Sequence, residues 1–178
     1  MTHWEIFSAE QLFLLNARKV LEADESTLSC DVALAERATA IMSCAFALEA
    51  LLNLLLRHDG RISLYEGINT KAKLEILGVF AHIEVAFNKE PWQAISELIK
   101  TRNWLVHFKE PTIGFLGSLG YVGDSAPKRA PTKSLTKEAL KVYYESVLHV
   151  GQVLVDGLGM HKEFSYLWSQ EYEPWIIG

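Results

Sequence analysis

The segment from Arg102 to His107, RNWLVH, contains the residue types best suited to chemistry on a phosphodiester. Arginine carries a permanent charge on a planar group whose N–H donors match phosphate oxygens, and histidine exchanges protons near neutral pH. Asn103 adds an amide directly after the arginine. The segment therefore predicts a site that binds and cleaves a phosphodiester, with Arg102 on the phosphate and His107 as acid or base.

Helical patterns surround this segment and must position it. Apolar residues recur at helical spacing in five stretches, separated by capping residues, glycines and prolines. The expected helices run from a capping Ser8 to about Ala23, from a capping Asp31 to Arg57, from Asn69 or Thr70 through Phe87, from Pro91 in the first turn to about His107, and from a capping Ser134 or Thr136 to Gly157.

The predicted fold is an all-α, antiparallel helical bundle of about five helices, forming a single domain over residues 1–178. A long glycine-rich loop, residues 112–134, precedes the last long helix, and an aromatic C-terminal tail covers 160–178. The glycines match no phosphate-loop motif, so a flap or a short hairpin is the favoured interpretation of this loop and a nucleotide cradle the weaker one.

Composition limits the classes of partner. The chain has 17 Lys and Arg against 22 Asp and Glu, a net charge of −5, so polyanions must be attracted by a local basic patch.

Two cysteines and six histidines show no metal-ligand spacing, so we expect no metal, no cofactor and a reducing cytoplasm. The apolar run 38–56 contains Glu49 and Asn53, which favours a buried central helix over a membrane span.

Glu49 and Asn53 stand four residues apart on this apolar helix, so they share a face and need polar partners. One interpretation places them behind the motif, where Glu49 orients Arg102 or His107. The other has them satisfied at a dimer seam or by water. Arg102 also has a purely structural alternative, an ion pair with Glu97 or Glu49, and a histidine at a helix C-terminus is favoured by the helix dipole alone.

The sequence FALEALLN over residues 46–53, followed by LIKTRNWLVHFK over 98–109, resembles the HEPN superfamily (higher eukaryotes and prokaryotes nucleotide-binding). The family hallmark is an arginine and a histidine separated by four to six residues, often with a polar residue after the arginine. Arg102, Asn103 and His107 match this pattern. The resemblance covers about residues 38–157.

The resemblance implies a helical homodimer that cleaves RNA without a metal ion. In catalytic members, the histidine acts on the ribose 2′-hydroxyl or the leaving oxygen, the arginine stabilises the phosphate, and a 2′,3′-cyclic phosphate is left. The two motifs meet in a shared cleft, so Arg102 of one chain and His107 of the other serve one phosphate.

Two functions remain open on the sequence. One is a toxin-type or defence-type endoribonuclease, with Lys109, Lys128 and Arg129 contacting the RNA backbone and Lys71, Lys73 and Lys100 as further candidates along its path. The other is a non-catalytic HEPN-like module that binds a nucleotide or a protein. A protein partner, such as an antitoxin, fits either. Lys109 occupies the position where toxins paired with nucleotidyltransferase antitoxins carry tyrosine, so that tyrosine modification has no matching target here.

Overall fold

A computed structural model describes residues 9–58, 67–106 and 134–161 of the chain. Within these ranges there are five α-helices, one 3-10 turn at Glu25–Thr27 and no strand, which confirms the predicted all-α class and helical bundle. The helices are α1 (Ala9–Glu22), α2 (Cys30–His58), α3 (Thr70–Phe80), α4 (Trp92–Val106) and α5 (Lys137–Gly157).

Helix α2 is the centre of the bundle and packs against the other four helices. Its fully buried side chains include Ile41, Leu48, Leu52 and Leu55. By length and composition alone α2 is also apolar enough to cross a membrane, with a mean hydropathy of 1.8 over its most apolar window. In the bundle 61% of that window is buried against protein, and the core helix of a bundle has this same composition.

Helix α1 lies antiparallel to the middle of α2. Asn16 Nδ2 donates a hydrogen bond to Ser43 Oγ at 2.8 Å. One turn earlier on α1 and one turn later on α2, the rings of Phe13 and Phe46 lie 5.5 Å apart. Two contacts whose order reverses between the helices fix an antiparallel pair, as the sequence predicts.

Side-chain caps fix the starts of three helices. Asn69 Oδ1 accepts from Ala72 N at 3.0 Å at the start of α3, and Thr136 Oγ1 accepts from Ala139 N at 3.1 Å at the start of α5, as expected. The expected cap of α2 was wrong, because Ser29 Oγ accepts from the backbone of that helix and Asp31 lies in its first turn. Ser8, the expected cap of α1, lies outside the described residues.

Helix α3 ends at Phe80, seven residues before the end that the sequence pattern predicts. His82 has a positive φ of 57°, and Ile83 N donates to the carbonyl oxygen of Gly78 at 2.8 Å, so the chain folds back on the helix. A Cβ on Gly78 would lie 2.5 Å from Val85 Cγ2. The apolar residues Ile83, Val85 and Phe87 are therefore partly buried against the core by a returning loop, which needs glycine at position 78.

Helix α4, which carries the motif, begins at Trp92 rather than at Pro91. The carbonyl oxygen of Pro91 accepts from Ile95 N at 3.2 Å and so starts the helical ladder. Ile95 and Leu98 are fully buried, and Thr101 is 3% exposed. Burial of this face fixes the rotation of α4 and places Arg102 at the edge of the interface with α2.

Candidate functional site

Arg102 lies near the end of α4, with its side chain against α2. Its Nη2 is 3.6 Å from Oε2 of Glu49, and its Nη1 donates to Oδ1 of Asn103 at 3.0 Å. Its Cζ lies 6.0 Å from the centre of the Phe46 ring, within the range of a cation–π contact. The side chain is 30% exposed, so these contacts hold the guanidinium at the surface without enclosing it.

Glu49 is the carboxylate beside Arg102, while Glu97, the other expected candidate, pairs with Lys100 at 2.6 Å. The distance of 3.6 Å makes the Glu49 contact an ion pair rather than a hydrogen bond. Both partners are about one-third exposed, so the pair contributes only about 0.2–1 kcal/mol to stability. Among the residues that the structure describes, the guanidinium makes one hydrogen bond and one longer ion pair, so most of its five N–H donors have no partner within these ranges.

The direction of the Arg102 side chain matters because of helix geometry. Residues five apart on an α-helix are about 140° apart around the axis, whereas residues four apart share a face. Asn103 stands four residues before His107, and the Arg102 guanidinium turns towards Asn103. Arg102 therefore reaches around α4 towards the helix face that includes Asn103.

Four predicted site residues fall outside the described ranges: His107, Lys109, Lys128 and Arg129. Residues 112–133 of the predicted glycine-rich loop (112–134) and residues 162–178 of the predicted tail (160–178) also lie outside these ranges.

Asn53 shares a face of α2 with Glu49 but has a different partner. Its Oδ1 accepts a hydrogen bond at 2.7 Å from Nζ of Lys73 on α3. Lys73 is only 2% exposed, so its ammonium is buried between α2 and α3. The face that the sequence identifies as polar thus binds two cations, one on α3 and one on α4.

The buried position of Lys73 is a feature that sequence reasoning missed. As one of the lysines considered for an RNA path, it was expected on the surface. Two features of the sequence indicate its burial. Lys73 stands four residues before Leu77, on the core-facing side of α3, and Asn53 needs a polar partner. Lys71 is also paired: its Nζ donates to Ser96 Oγ at 2.7 Å and lies 4.8 Å from the centre of the Phe87 ring.

At this junction of α2, α3 and α4, the cationic side chains outnumber the carboxylates that contact them. Arg102 contacts one carboxylate, whereas Lys71 and Lys73 contact only neutral oxygen atoms and an aromatic ring within the described ranges. Since the whole chain has a net charge of −5, this junction is a local exception to its acidic composition.

A groove between α1 and α5 offers a contrasting surface. Its charges balance, with three cationic and three acidic side chains, so it has no net attraction for a phosphate. Burial raises the pKa of Tyr144 in its wall, and hydrogen bonds with the backbone and Thr136 lower the pKa of Glu138. The lining residues are Arg18, Leu21, Glu22, Lys137, Glu138, Lys141, Tyr144 and Glu145.

The described ranges contain no group of three or more His, Cys, Asp and Glu side chains that could hold a metal ion. Cys30 is exposed and Cys44 is buried, and neither forms a disulfide. Burial raises the pKa of the Cys44 thiol to about 12, so this cysteine is protonated and unreactive in the folded protein.

Comparison with known protein families, with curated proteins and with solved structures finds no match to this chain. The HEPN resemblance therefore rests on the sequence pattern around Arg102 and His107.

Proposed function

We propose that this protein is a metal-independent endoribonuclease of the HEPN type, with Arg102 and His107 as its catalytic residues. The observation that carries the proposal is the placement of Arg102. Its guanidinium is partly exposed, turns towards Asn103 and makes a single hydrogen bond within the described part of the chain, on the helix segment that precedes His107 in the sequence. A cation with open N–H donors on an otherwise acidic chain is suited to one phosphate.

The reaction follows from these two side chains. His107 accepts the proton of the ribose 2′-hydroxyl, and the 2′-oxygen attacks the adjacent phosphorus. The bond from phosphorus to the 5′-oxygen breaks, and that oxygen takes up the proton that His107 accepted from the 2′-hydroxyl. Arg102 donates to the non-bridging oxygens as their negative charge grows. The products are a 2′,3′-cyclic phosphate and a 5′-hydroxyl, and the scheme requires neither metal nor cofactor.

A homodimer completes the proposed site. Because Arg102 and His107 lie on different sides of an ideal helix, one phosphate is better served by Arg102 of one chain and His107 of a second. Glu49 and Asn103 hold the guanidinium at the edge where the second chain approaches. Lys109, Lys128 and Arg129 supply further contacts to the RNA backbone in this proposal, and the setting is cytoplasmic.

A second candidate is a non-catalytic HEPN-like module that binds a nucleotide or a protein partner such as an antitoxin. The Glu49 carboxylate favours it, because a negative charge 3.6 Å from Arg102 offsets part of the attraction for phosphate. Such a module keeps the same donors but transfers no proton.

Incubation of RNA with the purified protein in EDTA tests the enzyme. The wild type should yield products ending in a 2′,3′-cyclic phosphate, detected by mass spectrometry. Arg102→Ala and His107→Ala should each reduce the rate by about 100-fold or more. The matched controls Arg18→Ala and His149→Ala change exposed residues of α1 and α5 and should keep full activity. Equal background cleavage by all five proteins would reject the enzyme, and RNA binding without cleavage would support the second candidate.

Mixing the two inactive variants tests the shared site. In a mixed dimer, the His107→Ala chain supplies an intact Arg102 and the Arg102→Ala chain supplies an intact His107, so one of the two sites is complete. Random exchange makes half of the dimers mixed, and activity should recover to roughly a quarter of the wild type. No recovery after proven exchange of chains would place both residues of the site in one chain.

A further inference from the structure

The orientation of the Asn53 amide is fixed by its partner. An ammonium group has only donors, so the atom of Asn53 that lies 2.7 Å from Lys73 Nζ must be the carbonyl oxygen. The NH₂ group consequently points away from Lys73. The structure shows no hydrogen bond from this NH₂ group to a described residue, so within the described ranges its two donors are unpaired.

The Asn53 amide lies on the same face of α2 as Glu49, which contacts Arg102. Asn53 follows Glu49 by one turn on the same face of α2, a rise of about 6 Å along the helix. Asn53 is partly exposed, unlike the buried Lys73 behind it. Asn53 therefore lies one helical turn along α2 from Glu49, the residue that contacts the Arg102 guanidinium.

The buried charge of Lys73 makes this amide a strong donor. A hydrogen bond from an ammonium to the amide oxygen polarises the amide and strengthens its N–H groups. Within the described ranges Lys73 contacts no carboxylate, and Glu49, the acidic residue on the same face of α2, is already paired with Arg102. Of these two cations only Arg102 has a carboxylate partner within the described ranges, and an incoming anion is attracted by the uncompensated positive charge of Lys73.

We propose that the Asn53 NH₂ group donates to a phosphate oxygen of the RNA backbone, next to the phosphate held by Arg102. Lys73 is the positioning residue, which fixes and polarises the amide without touching RNA. This proposal rests on the proposed function, because it extends the same substrate along α2. It assigns the polar face of α2 to substrate binding rather than to structural support alone.

Asn53→Asp is the sharpest test, because it nearly preserves shape and keeps an oxygen for Lys73. It replaces the NH₂ donors by a carboxylate oxygen, and the new ion pair with buried Lys73 should leave the melting temperature unchanged or raised. The readout is the affinity for a fluorescent 2′-deoxyoligonucleotide, which cannot be cleaved by 2′-hydroxyl attack, measured by anisotropy. We expect the affinity to fall by about tenfold or more, the effect of losing a hydrogen bond to a charged group.

Gln93→Glu is the matched control, with the same amide-to-carboxylate change at an exposed position of α4. It should change the affinity by less than twofold. The loss for Asn53→Asp should persist at high salt, where long-range repulsion is screened but a missing contact is not. Lys73→Met should weaken binding severalfold with the fold retained, because the amide is then neither fixed nor polarised.

The outcomes separate this proposal from the catalytic one. Affinity of Asn53→Asp within twofold of the wild type overturns the role of Asn53 while the endoribonuclease stands or falls by its own test. Weakened binding by Asn53→Asp together with no cleavage of RNA keeps Asn53 as a backbone contact and rejects the enzyme. Absence of oligonucleotide binding by the wild-type protein rejects the Asn53 contact outright.

Discussion

Replacing Asn53 by leucine should destabilise the protein through Lys73. Lys73 is 2% exposed and its hydrogen bond to Asn53 is 2.7 Å long, so water has little access to replace the lost partner. A hydrogen bond to a charged group contributes about 1.5–3 kcal/mol. We therefore expect a loss of about 2 kcal/mol in the free energy of unfolding, and a melting temperature lower by roughly 4–8 °C in a chain of this size.

The double variant Asn53→Leu with Lys73→Met should return close to the wild-type stability. Removing the ammonium also removes the cost of burying its charge, and a methionine keeps most of the apolar stem. Urea unfolding followed by circular dichroism measures all four corners of this cycle.

Asn16→Leu is the control, because Asn16 donates at 2.8 Å to the neutral Ser43 hydroxyl and should cost only about 1 kcal/mol. The reasoning is refuted if Asn53→Leu stays within about 0.5 kcal/mol of the wild type. It is equally refuted if the double variant loses the sum of the two single losses, since the two side chains would then act independently.

Three further predictions concern packing, capping and thiol chemistry. A Cβ at Gly157 would lie 2.8 Å from both Cβ and the carbonyl oxygen of Ala81. Gly157→Ala should therefore lower the free energy of unfolding by about 1 kcal/mol, because overpacking outweighs the gain in helix propensity. A higher urea midpoint would contradict this. Thr136→Ala should cost about 1 kcal/mol in the same assay and Thr136→Ser much less; equal losses would argue against the side-chain cap. The folded-state pKa of Cys44 lies near 12, above its ordinary value of 9.0, so the stability contributed by this thiol is present below pH 9 and declines as the pH rises towards 12. At pH 8 a thiol reagent should modify exposed Cys30 at once and Cys44 only on unfolding; immediate modification of both would contradict the burial.

The fold class could be predicted from the sequence because it depends on local periodicity. Apolar residues at helical spacing and capping residues such as Asn69 and Thr136 act within one or two turns, and the structure confirms them. The end of α3 could not be predicted this way. The pattern continues through Phe87 because Ile83, Val85 and Phe87 are apolar too, but the chain reverses at His82 and packs back against Gly78, a contact that has no helical period.

The candidate site shows the same division. From the sequence alone we predict a phosphate site at Arg102, Asn103 and His107, and the sequence alone determined that Glu49 and Asn53 need partners, since residue chemistry and helical spacing carry both inferences. Only the tertiary structure decided the partners, Arg102 for Glu49 and the buried Lys73 for Asn53, because these contacts join α2 to α4 and α3. Such contacts depend on how buried faces rotate the helices against each other, and no local pattern in the chain records that rotation.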